Sequence, residues 1–406
     1  RDRLRAIWLD PISLDPSRIA ARATREMAER LAAVSRRLER AGHEPEDVAH
    51  FLMRCLFTMF AEDVGLLPDD AFRKLLKDCR NTPEAFPRLV GELWEAMDKG
   101  SPYAISIRAR VLRFNGSLFK DAKVLPLEQE EIGELAAAAE QNWRHVEPAI
   151  FGTLLEQALD SAERRRLGAH YTPRAYVERL VVATLIEPLR ADWRQVLTIA
   201  EERHAAGDRK AAARTVQDFH EKLCRTRVLD PACGTGNFLY VALELMKKLE
   251  GEVLDTLVSL GGQEALTGLA GHTVDPHNFL GMEINPRAAA IAELVLWIGY
   301  LQLHFRTRGG IPQPPILKAF RNITQMNAVV TWDGTSPQAK AEDGLTYLHP
   351  RRPEWPAAEF IVGNPPFIGG KDIRGRPRAG PAARARSCAA SASSPRTRSR
   401  RISRAA

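Results

Sequence analysis

Residues 227–246 read Arg-Val-Leu-Asp-Pro-Ala-Cys-Gly-Thr-Gly-Asn-Phe-Leu-Tyr-Val-Ala-Leu-Glu-Leu-Met, and their pattern is the clearest indication of the fold class. The apolar pair Val228-Leu229 predicts the end of a buried strand, and Gly234 and Gly236 predict a sharp turn after it. From Phe238 to Leu249, apolar residues recur at helical spacing. A strand, a glycine turn and a helix in this order predict one unit of a parallel α/β sheet, with a turn that a ligand can approach closely.

Two further strand signals follow this unit. Phe279–Glu283 ends in a carboxylate and precedes an apolar helix that we expect from Pro286 to about Phe305. Phe360–Val362 ends in Gly363-Asn364-Pro365-Pro366-Phe367. Strands that alternate with helices predict a parallel sheet with right-handed crossovers. The separation of Asp230 and Glu283 exceeds that of a simple unit, so we expect an insertion at about 251–276 to loop out.

The residues at the predicted strand ends indicate chemistry. A carboxylate at Glu283 can accept both hydroxyls of a ribose, as in dinucleotide folds. The two prolines hold an extended loop that presents the Asn364 side-chain oxygen and the Pro365 carbonyl. Two such acceptors suit a planar exocyclic amine whose ring stacks on Phe367. The alternative interpretation of this loop is a proline-stiffened strand exit with a buried phenylalanine.

The region before this sheet is predicted to be helical. Over residues 1–145, Ala21–Arg40 is rich in helix-forming residues, and Asp47–Phe60 carries a buried apolar stripe that ends near Gly65. Short helices are expected at 71–79, 88–97 and 127–139, and one polar, alanine-rich, solvated helix is expected over 200–224. The neighbouring acids Glu62-Asp63 are interpreted as helix-end charges rather than as a catalytic pair.

A second helical segment begins at residue 146. Pro148 is expected to open a helix, and Leu167 to Pro173 is expected to form a turn. Thr172 is predicted to be the N-cap and Pro173 the first residue of the following helix. That helix would bury an apolar stripe consisting of Tyr176, Leu180, Val181 and Leu185.

Composition excludes several classes of protein. With 406 residues, 45% hydrophobic and 27% charged, the chain fits two or three globular domains rather than a disordered or collagen-like protein. It has no run of 18 apolar residues, so we expect no transmembrane helix. The cysteines are odd in number, form no CxxC pair and favour a reducing cytoplasm without a disulfide framework or zinc site: Cys55, Cys79, Cys224, Cys233 and Cys388.

The net charge of +7 comes from one segment. Residues 374–406 hold ten arginines and no acidic residue, so the remaining chain has 48 basic and 51 acidic side chains. This segment has no apolar periodicity and is expected to be a disordered basic tail. We expect it to be the product of a frameshift that removes the later strands, and the rival interpretation is a natural arginine-rich tail that binds nucleic acid.

Together, Asp230-Pro-Ala-Cys-Gly-Thr-Gly-Asn-Phe and Asn364-Pro-Pro-Phe resemble the motifs of S-adenosylmethionine-dependent DNA adenine-N6 methyltransferases. With His170-Tyr171-Thr172-Pro173 before the glycine turn, the motif order is similar to the gamma-type arrangement. Leu56–Asp63 is similar to the helical spacer of single-chain type IIG restriction–modification enzymes. The resemblance covers about residues 20–373.

The resemblance implies roles for individual residues. Asn364, Pro365, Pro366 and Phe367 match the catalytic motif. The residues that match cofactor-binding positions are Tyr171, Thr172 and Pro173 for the methionine carboxylate, Asp230, Ala232, Gly234 and Gly236 for the turn, Glu283 for the ribose, and Asn327 for the adenine. It further implies an adenine flipped out of double-stranded DNA, in-line methyl transfer and no metal.

We therefore expect an α/β protein with an incomplete Rossmann-like class I methyltransferase sheet. A helical spacer at 1–145 would precede the catalytic domain at 146–373, and a tail at 374–406 would follow. The expected chain is a cytoplasmic monomer without membrane contact. Two alternatives stay open, namely methylation of a protein glutamine amide and an inactive remnant that binds DNA through its tail.

Overall fold

The computed structural model describes residues 29–114, 118–120, 122–146, 148, 172–261, 272–307, 322–337 and 345–365. Several predictions concern residues partly or wholly outside this part of the chain: the site residues Tyr171, Pro366 and Phe367, the start of the helical stretch at 21–40, the helix expected after Pro148, most of the turn at 167–173, the insertion between 262 and 271, and the tail at 374–406.

A four-stranded parallel sheet organises the second half of the described chain. Its strands are β3 (Val228–Asp230), β4 (Phe279–Glu283), β5 (Ile323–Gln325) and β8 (Phe360–Ile361), and their order is β5-β4-β3-β8. Val228 pairs with Phe279 on one side and with Phe360 on the other. Because all neighbours are parallel, the carboxyl ends of the strands meet at one edge of the sheet. The predicted parallel α/β fold is confirmed.

Long helices connect and cover these strands. α9 (Asn237–Gly261) packs against β3 and β4, and α10 (Pro286–Thr307) packs against β4 and β5. Before the sheet, α6 (Arg174–Val181) continues through a π-helical turn at Val182–Ile186 into α7 (Glu187–Ala205), which packs on α8 (Arg209–Arg225). α10 contains a stretch, Ala288–Phe305, that is long and apolar enough to cross a membrane, but 72% of it is buried within the fold.

The N-terminal half is mainly helical, as predicted. Residues 29–40 form α1, and the next helices are α2 (Pro45–Asp63), α3 (Ala71–Asn81), α4 (Phe86–Lys99) and α5 (Gln129–Ala139). Their core holds a cluster of aromatic rings in edge-to-face contact, with Phe57 and Phe114 centroids 5.7 Å apart. A short hairpin of β1 (Ser101–Ala104) and β2 (Ala109–Val111) interrupts this region and was not predicted.

The acids Glu62 and Asp63 hold three elements together. Glu62 Oε1 accepts the backbone N–H of Phe72 at 2.7 Å, so it caps α3, whose own N-cap residue, Asp70, makes no capping bond to the helix backbone. Asp63 accepts the backbone N–H of Trp143 at 2.5 Å and pairs with Arg73. Burial raises the pKa of both carboxyl groups. Their role at helix ends is confirmed, and the helix that Glu62 caps is a neighbouring one.

Several predicted details differ from the structure. The prediction that the chain loops out from Gly251 is wrong up to residue 261, because α9 continues through Gly251 and ends at Gly261. The strand β5 and the hairpin of β6 (Gly334–Pro337) with β7 (Leu345–Leu348) were not predicted. Each has only three or four residues, which is too short for a clear period-two pattern.

Candidate active site

The sheet reverses its order of strand addition at β3. The chain adds β4 and β5 on one side of β3 and then returns to place β8 on the other. Ligands of open parallel sheets bind outside the carboxyl ends of the strands at such a switch point. The loops after β3 and β8 flank this point, and they carry the glycine turn and Asn364 respectively.

The turn after β3 depends on its two glycines. Gly234 and Gly236 have φ angles of +53° and +83°, which side-chain-bearing residues rarely adopt. A methyl group at position 236 would also lie 3.1 Å from the Cα atom of Ala292 in α10. The backbone N–H of Cys233 donates to the carbonyl of Met282 in β4 at 3.1 Å, so the turn stays close to the neighbouring strand.

The carboxylate of Glu283 links the end of β4 to the glycine turn after β3. Its carboxylate accepts the backbone N–H of Gly234 at 2.8 Å and that of Asn285 at 2.9 Å. It is half-buried at the end of β4. The structure thus brings Glu283 to the glycine turn, although the two lie 49 residues apart in sequence.

Thr172 joins the loops that carry the other two motifs. Its hydroxyl oxygen accepts a hydrogen bond from Asn364 Nδ2 at 3.2 Å, across 192 residues of sequence. Its backbone carbonyl accepts from Asn237 Nδ2 at 2.9 Å at the start of α9. Since the Asn364 amide nitrogen is used in this contact, its Oδ1 atom remains as the acceptor. Asn364 itself is exposed and Pro365 is half-buried.

Asp230 lies buried beneath this junction. Its Oδ1 atom accepts the backbone N–H of Ala232 at 3.0 Å, and a methyl group at position 363 would stand only 2.4 Å from the same atom. Burial raises the pKa of Asp230 to about 7, and the nearby charge of Glu283 adds to this rise. Gly363 therefore allows the loop of Asn364 to pass directly over a carboxyl group.

Two expectations about α6 are wrong. Thr172 is not its N-cap and Pro173 is not its first residue, because Pro173 is the N-cap and the helix begins at Arg174. The Thr172 hydroxyl instead binds Asn364. The expected buried stripe is half correct: Val181 and Leu185 are buried, whereas Tyr176 is 64% exposed and Leu180 is 40% exposed. The helix turns these two side chains away from α9, which packs on its other face.

Asn327 lies beyond β5, the strand next to β4. Its Oδ1 atom accepts the backbone N–H groups of Val329 and Val330 at 2.9 and 3.3 Å, so this oxygen forms an Asx turn. The carbonyl of Glu283 accepts the N–H of Met326, which keeps the loop of Asn327 beside the end of β4. A role of Asn327 toward a ligand stays a prediction.

The structure adds residues that sequence reasoning missed. The Asn237 Oδ1 atom is buried and has no hydrogen-bond partner among the described residues, so it can serve a ligand. Ile284 directly follows Glu283 and is 54% exposed, which leaves an apolar surface beside the carboxylate. The position of Asn237 immediately after the second glycine was a signal for it, but Ile284 has no sequence signal except its position.

One cluster among the described residues contains three possible metal ligands, namely His220, Cys224 and Glu250. Cys224 Sγ lies 3.8 and 3.6 Å from the two ring nitrogens of His220. Because these distances are nearly equal, neither nitrogen directs its lone pair toward a point that it could share with the sulfur. Glu250 already accepts from Lys247, Thr273 and the backbone of Val274. Burial raises the pKa of Glu250, but the hydrogen bond with His220 and the contacts with Lys247 and Thr273 outweigh it and lower the pKa to about 2, and the cluster serves to join α8 to α9.

Two protein-family models match this chain, one over the parallel sheet and one over the N-terminal helices. Residues 188–380 match the family described as MmeI, DNA-methyltransferase domain. Residues 46–119 match the family described as MmeI, helicase spacer domain. The two matches follow the division between the parallel sheet and the N-terminal helices.

Curated proteins and solved structures give the same relationship. The chain is 24% identical over 340 residues to DNA methyltransferase A of Bacillus subtilis (strain 168), covering 79% of this chain and 34% of the relative. A structure of the type IIL restriction-modification enzyme MmeI in complex with DNA aligns with a TM-score of 0.63 and 26% identity, covering 75% of this chain and 40% of that one. The chain thus spans about a third of the length of the first relative and two fifths of the second.

The matched residues include both strand-end loops of the site, because β3, β4 and β8 all lie within 188–380. The helical spacer match contains α2 to α4. On these grounds the chain carries an MmeI-type DNA-methyltransferase domain and is homologous to the type IIG and IIL restriction–modification methyltransferases.

Proposed function

We propose that this chain transfers a methyl group from S-adenosylmethionine to N6 of an adenine in double-stranded DNA, within a restriction–modification system. The observation that carries the proposal is the convergence of three sequence motifs at one switch point. Glu283 binds the turn at Gly234, and Thr172 binds both Asn237 and Asn364. A cytoplasmic monomer acting on duplex DNA is the form in which we expect this activity.

The residues around the glycine turn suit S-adenosylmethionine. Gly234 and Gly236 leave the backbone open to close approach. Glu283 can accept from ribose hydroxyls, and the exposed Ile284 beside it offers an apolar surface to the adenine ring. The unpaired Oδ1 atom of Asn237 is an acceptor for the ammonium group of the methionine part. When bound, the cofactor supplies an electrophilic methyl group on a sulfonium.

Asn364 would hold the amine that receives the methyl group. Its Nδ2 atom donates to Thr172, which leaves Oδ1 to accept from the exocyclic amine of a flipped base. The carbonyl of Pro365 supplies the second acceptor. Two acceptors at one amine favour a more tetrahedral nitrogen, whose lone pair is then available for in-line attack. The chemistry rests on this positioning and on fixed dipoles, and the proton that the nitrogen loses passes to water.

Titration calorimetry with S-adenosylmethionine tests the cofactor part of the proposal. We expect Glu283→Ala to weaken binding by about tenfold or more, because it removes charge-assisted bonds to the turn and to the ribose. Glu252→Ala is the matched control, since Glu252 is exposed on α9 and its carboxylate pairs, among the described residues, with Arg190 alone. Equal affinities for wild type and Glu283→Ala would contradict the assignment of this site.

Mass spectrometry of nucleosides tests the reaction. Unmethylated bacterial DNA is incubated with the chain and S-adenosylmethionine, then digested, and N6-methyladenine is the expected product. We expect Thr172→Val to lower the amount formed even at saturating S-adenosylmethionine, because it frees the Asn364 amide to rotate. Methylcytosine as the product, or transfer to a protein glutamine instead of DNA, would overturn the adenine assignment.

A further inference from the structure

The hairpin of β1 and β2 projects from the helical region and has no role in the site described above. Its inner side chains, Ala104 and Val111, are fully buried in the helical core. Its tip, in contrast, exposes Tyr103 by 59% and Ile105 by 73%. Ile105 is the most exposed large apolar residue of the described chain. Isolated exposed apolar residues are common, so the surroundings of this tip decide what it means.

The tip is held rigidly. Glu92 in α4 accepts the backbone N–H groups of both Ile105 and Ser106 at 3.0 Å, so its carboxylate clamps the turn. Arg108 closes the turn with a φ of +52°, a conformation that costs a non-glycine residue energy and needs support from its surroundings. The backbone N–H of Phe114 donates to Met97 at 2.8 Å and ties the exit of the hairpin to α4. A preorganised projection loses little entropy when it binds a partner.

The charged side chains of the hairpin are all positive. Residues 101–114 contain three arginines, Arg108, Arg110 and Arg113, and no acidic residue. All three are exposed, and none forms an ion pair with any residue that the structure describes. Of the three acids on α4, Glu92 binds the turn, Glu95 pairs with Lys99 at 2.6 Å, and Asp98 forms no ion pair with any residue that the structure describes. The guanidinium groups are thus available to an external anion.

From these features we infer that the β1–β2 hairpin is a DNA-contacting element, and that Arg108, Arg110 and Arg113 bind backbone phosphates. A two-stranded ribbon fits the major groove of B-DNA, which is about 12 Å wide. Arginine is suited to phosphate because its planar fork donates two parallel hydrogen bonds. The apolar tip would contact sugars or base edges. The inference rests on the proposed function, which makes duplex DNA the partner.

The salt dependence of DNA binding tests this assignment without requiring methylation. Fluorescence anisotropy gives the affinity of the full chain for a labelled duplex between 50 and 250 mM salt. Each phosphate contact contributes about 0.9 to the slope of log affinity against log salt. We expect the triple variant Arg108→Gln, Arg110→Gln, Arg113→Gln to lower the slope by about 2 to 3. The arginines at 374–406 are the same in every variant, so they cancel in this difference.

A matched control removes three exposed cations from α8, by Arg209→Gln, Lys210→Gln and Arg214→Gln, and should leave the slope unchanged. Replacing the three hairpin arginines by lysine should keep most of the slope, which separates charge from folding. Equal slopes for the wild type and the glutamine variant would overturn the hairpin assignment but not the proposed function. The hairpin surface would then be better explained as a binding site for a protein partner. A wild-type chain that binds no duplex DNA would overturn the partner in the proposed function as well.

Discussion

Replacing Gly363 by alanine should place a methyl group against the buried carboxyl group of Asp230. The new Cβ atom would stand 2.4 Å from Oδ1 and 2.9 Å from Cγ of Asp230, where ordinary contacts begin at 3.4 Å. Either the loop or the carboxyl group must therefore move by about 1 Å. Asp230 is 1% exposed and its Oδ1 is bound by Ala232, so most of the movement falls on the loop that carries Asn364.

The free energy of unfolding measures the cost of this clash. Overpacking of this size typically costs about 1–3 kcal/mol, and we expect this loss for Gly363→Ala in urea unfolding followed by circular dichroism. Gly251→Ala is the matched control, because it lies inside α9 with no atom within 4 Å of the new methyl group. That variant should gain about 0.5–1 kcal/mol from its higher helix propensity.

A double-mutant cycle identifies the partner in the clash. Asp230→Ala removes all three atoms that the new methyl group would meet, so adding Gly363→Ala to it should cost little. The expected coupling free energy is about 1–3 kcal/mol. If Gly363→Ala alone unfolds at the same urea concentration as the wild type, or if the two substitutions are additive, the contact between this loop and Asp230 is not as described.

Three further predictions concern stability and association. The pKa of Asp230 is raised to about 7 in the folded chain, so its contribution to the free energy of unfolding is fully present below about pH 4 and is lost as the pH rises to 7. The total loss over this range is up to about 4 kcal/mol, and Asp230→Asn should remove it. An unchanged pH profile of the unfolding free energy in this variant would refute the prediction. Glu62→Ala should lower the unfolding free energy by about 1–3 kcal/mol, because Phe72 at the start of α3 loses its acceptor in a buried place, and thermal denaturation checks this. Ile361 is 57% exposed on β8, which pairs with one strand among the described residues and so presents an apolar sheet edge. Ile361→Lys should therefore reduce aggregation measured by light scattering, whereas Ile199→Lys on the helix α7 should not.

Local patterns were enough to predict the elements that carry the site. The apolar pair before Asp230, the glycines after it and the helical period of α9 all lie within about 25 residues of sequence. Each is a property of neighbouring residues, so no knowledge of distant contacts was required. The same holds for β4 with Glu283 and for the strand that precedes Asn364, which the structure places within a residue of the predicted positions.

Contacts between distant segments could not be predicted in this way. The local sequence predicted Thr172 to be a helix N-cap, which is a common role of threonine before a helix. The fold instead makes it a hydrogen-bond partner of Asn364. Asp230 has a common sequence context for a turn, and its burial follows from the loop that crosses above it. The short strands of the β1–β2 hairpin gave no periodic signal, although Arg108 in its turn, Arg110 in β2 and Arg113 just after β2 lie close together along it.

Residues close together in the chain specify the kinds of element, the glycine turn, the carboxylate at the end of the second strand and the asparagine–proline loop, so the amino-acid sequence is enough to predict them. Which of these features meet depends on the folded chain. Strand order and crossover bring the ends of β3, β4 and β8 to one edge, where Glu283 reaches Gly234 and Thr172 reaches Asn364. Such contacts depend on the packing of α9 and α10 against the sheet, a property that no local pattern contains.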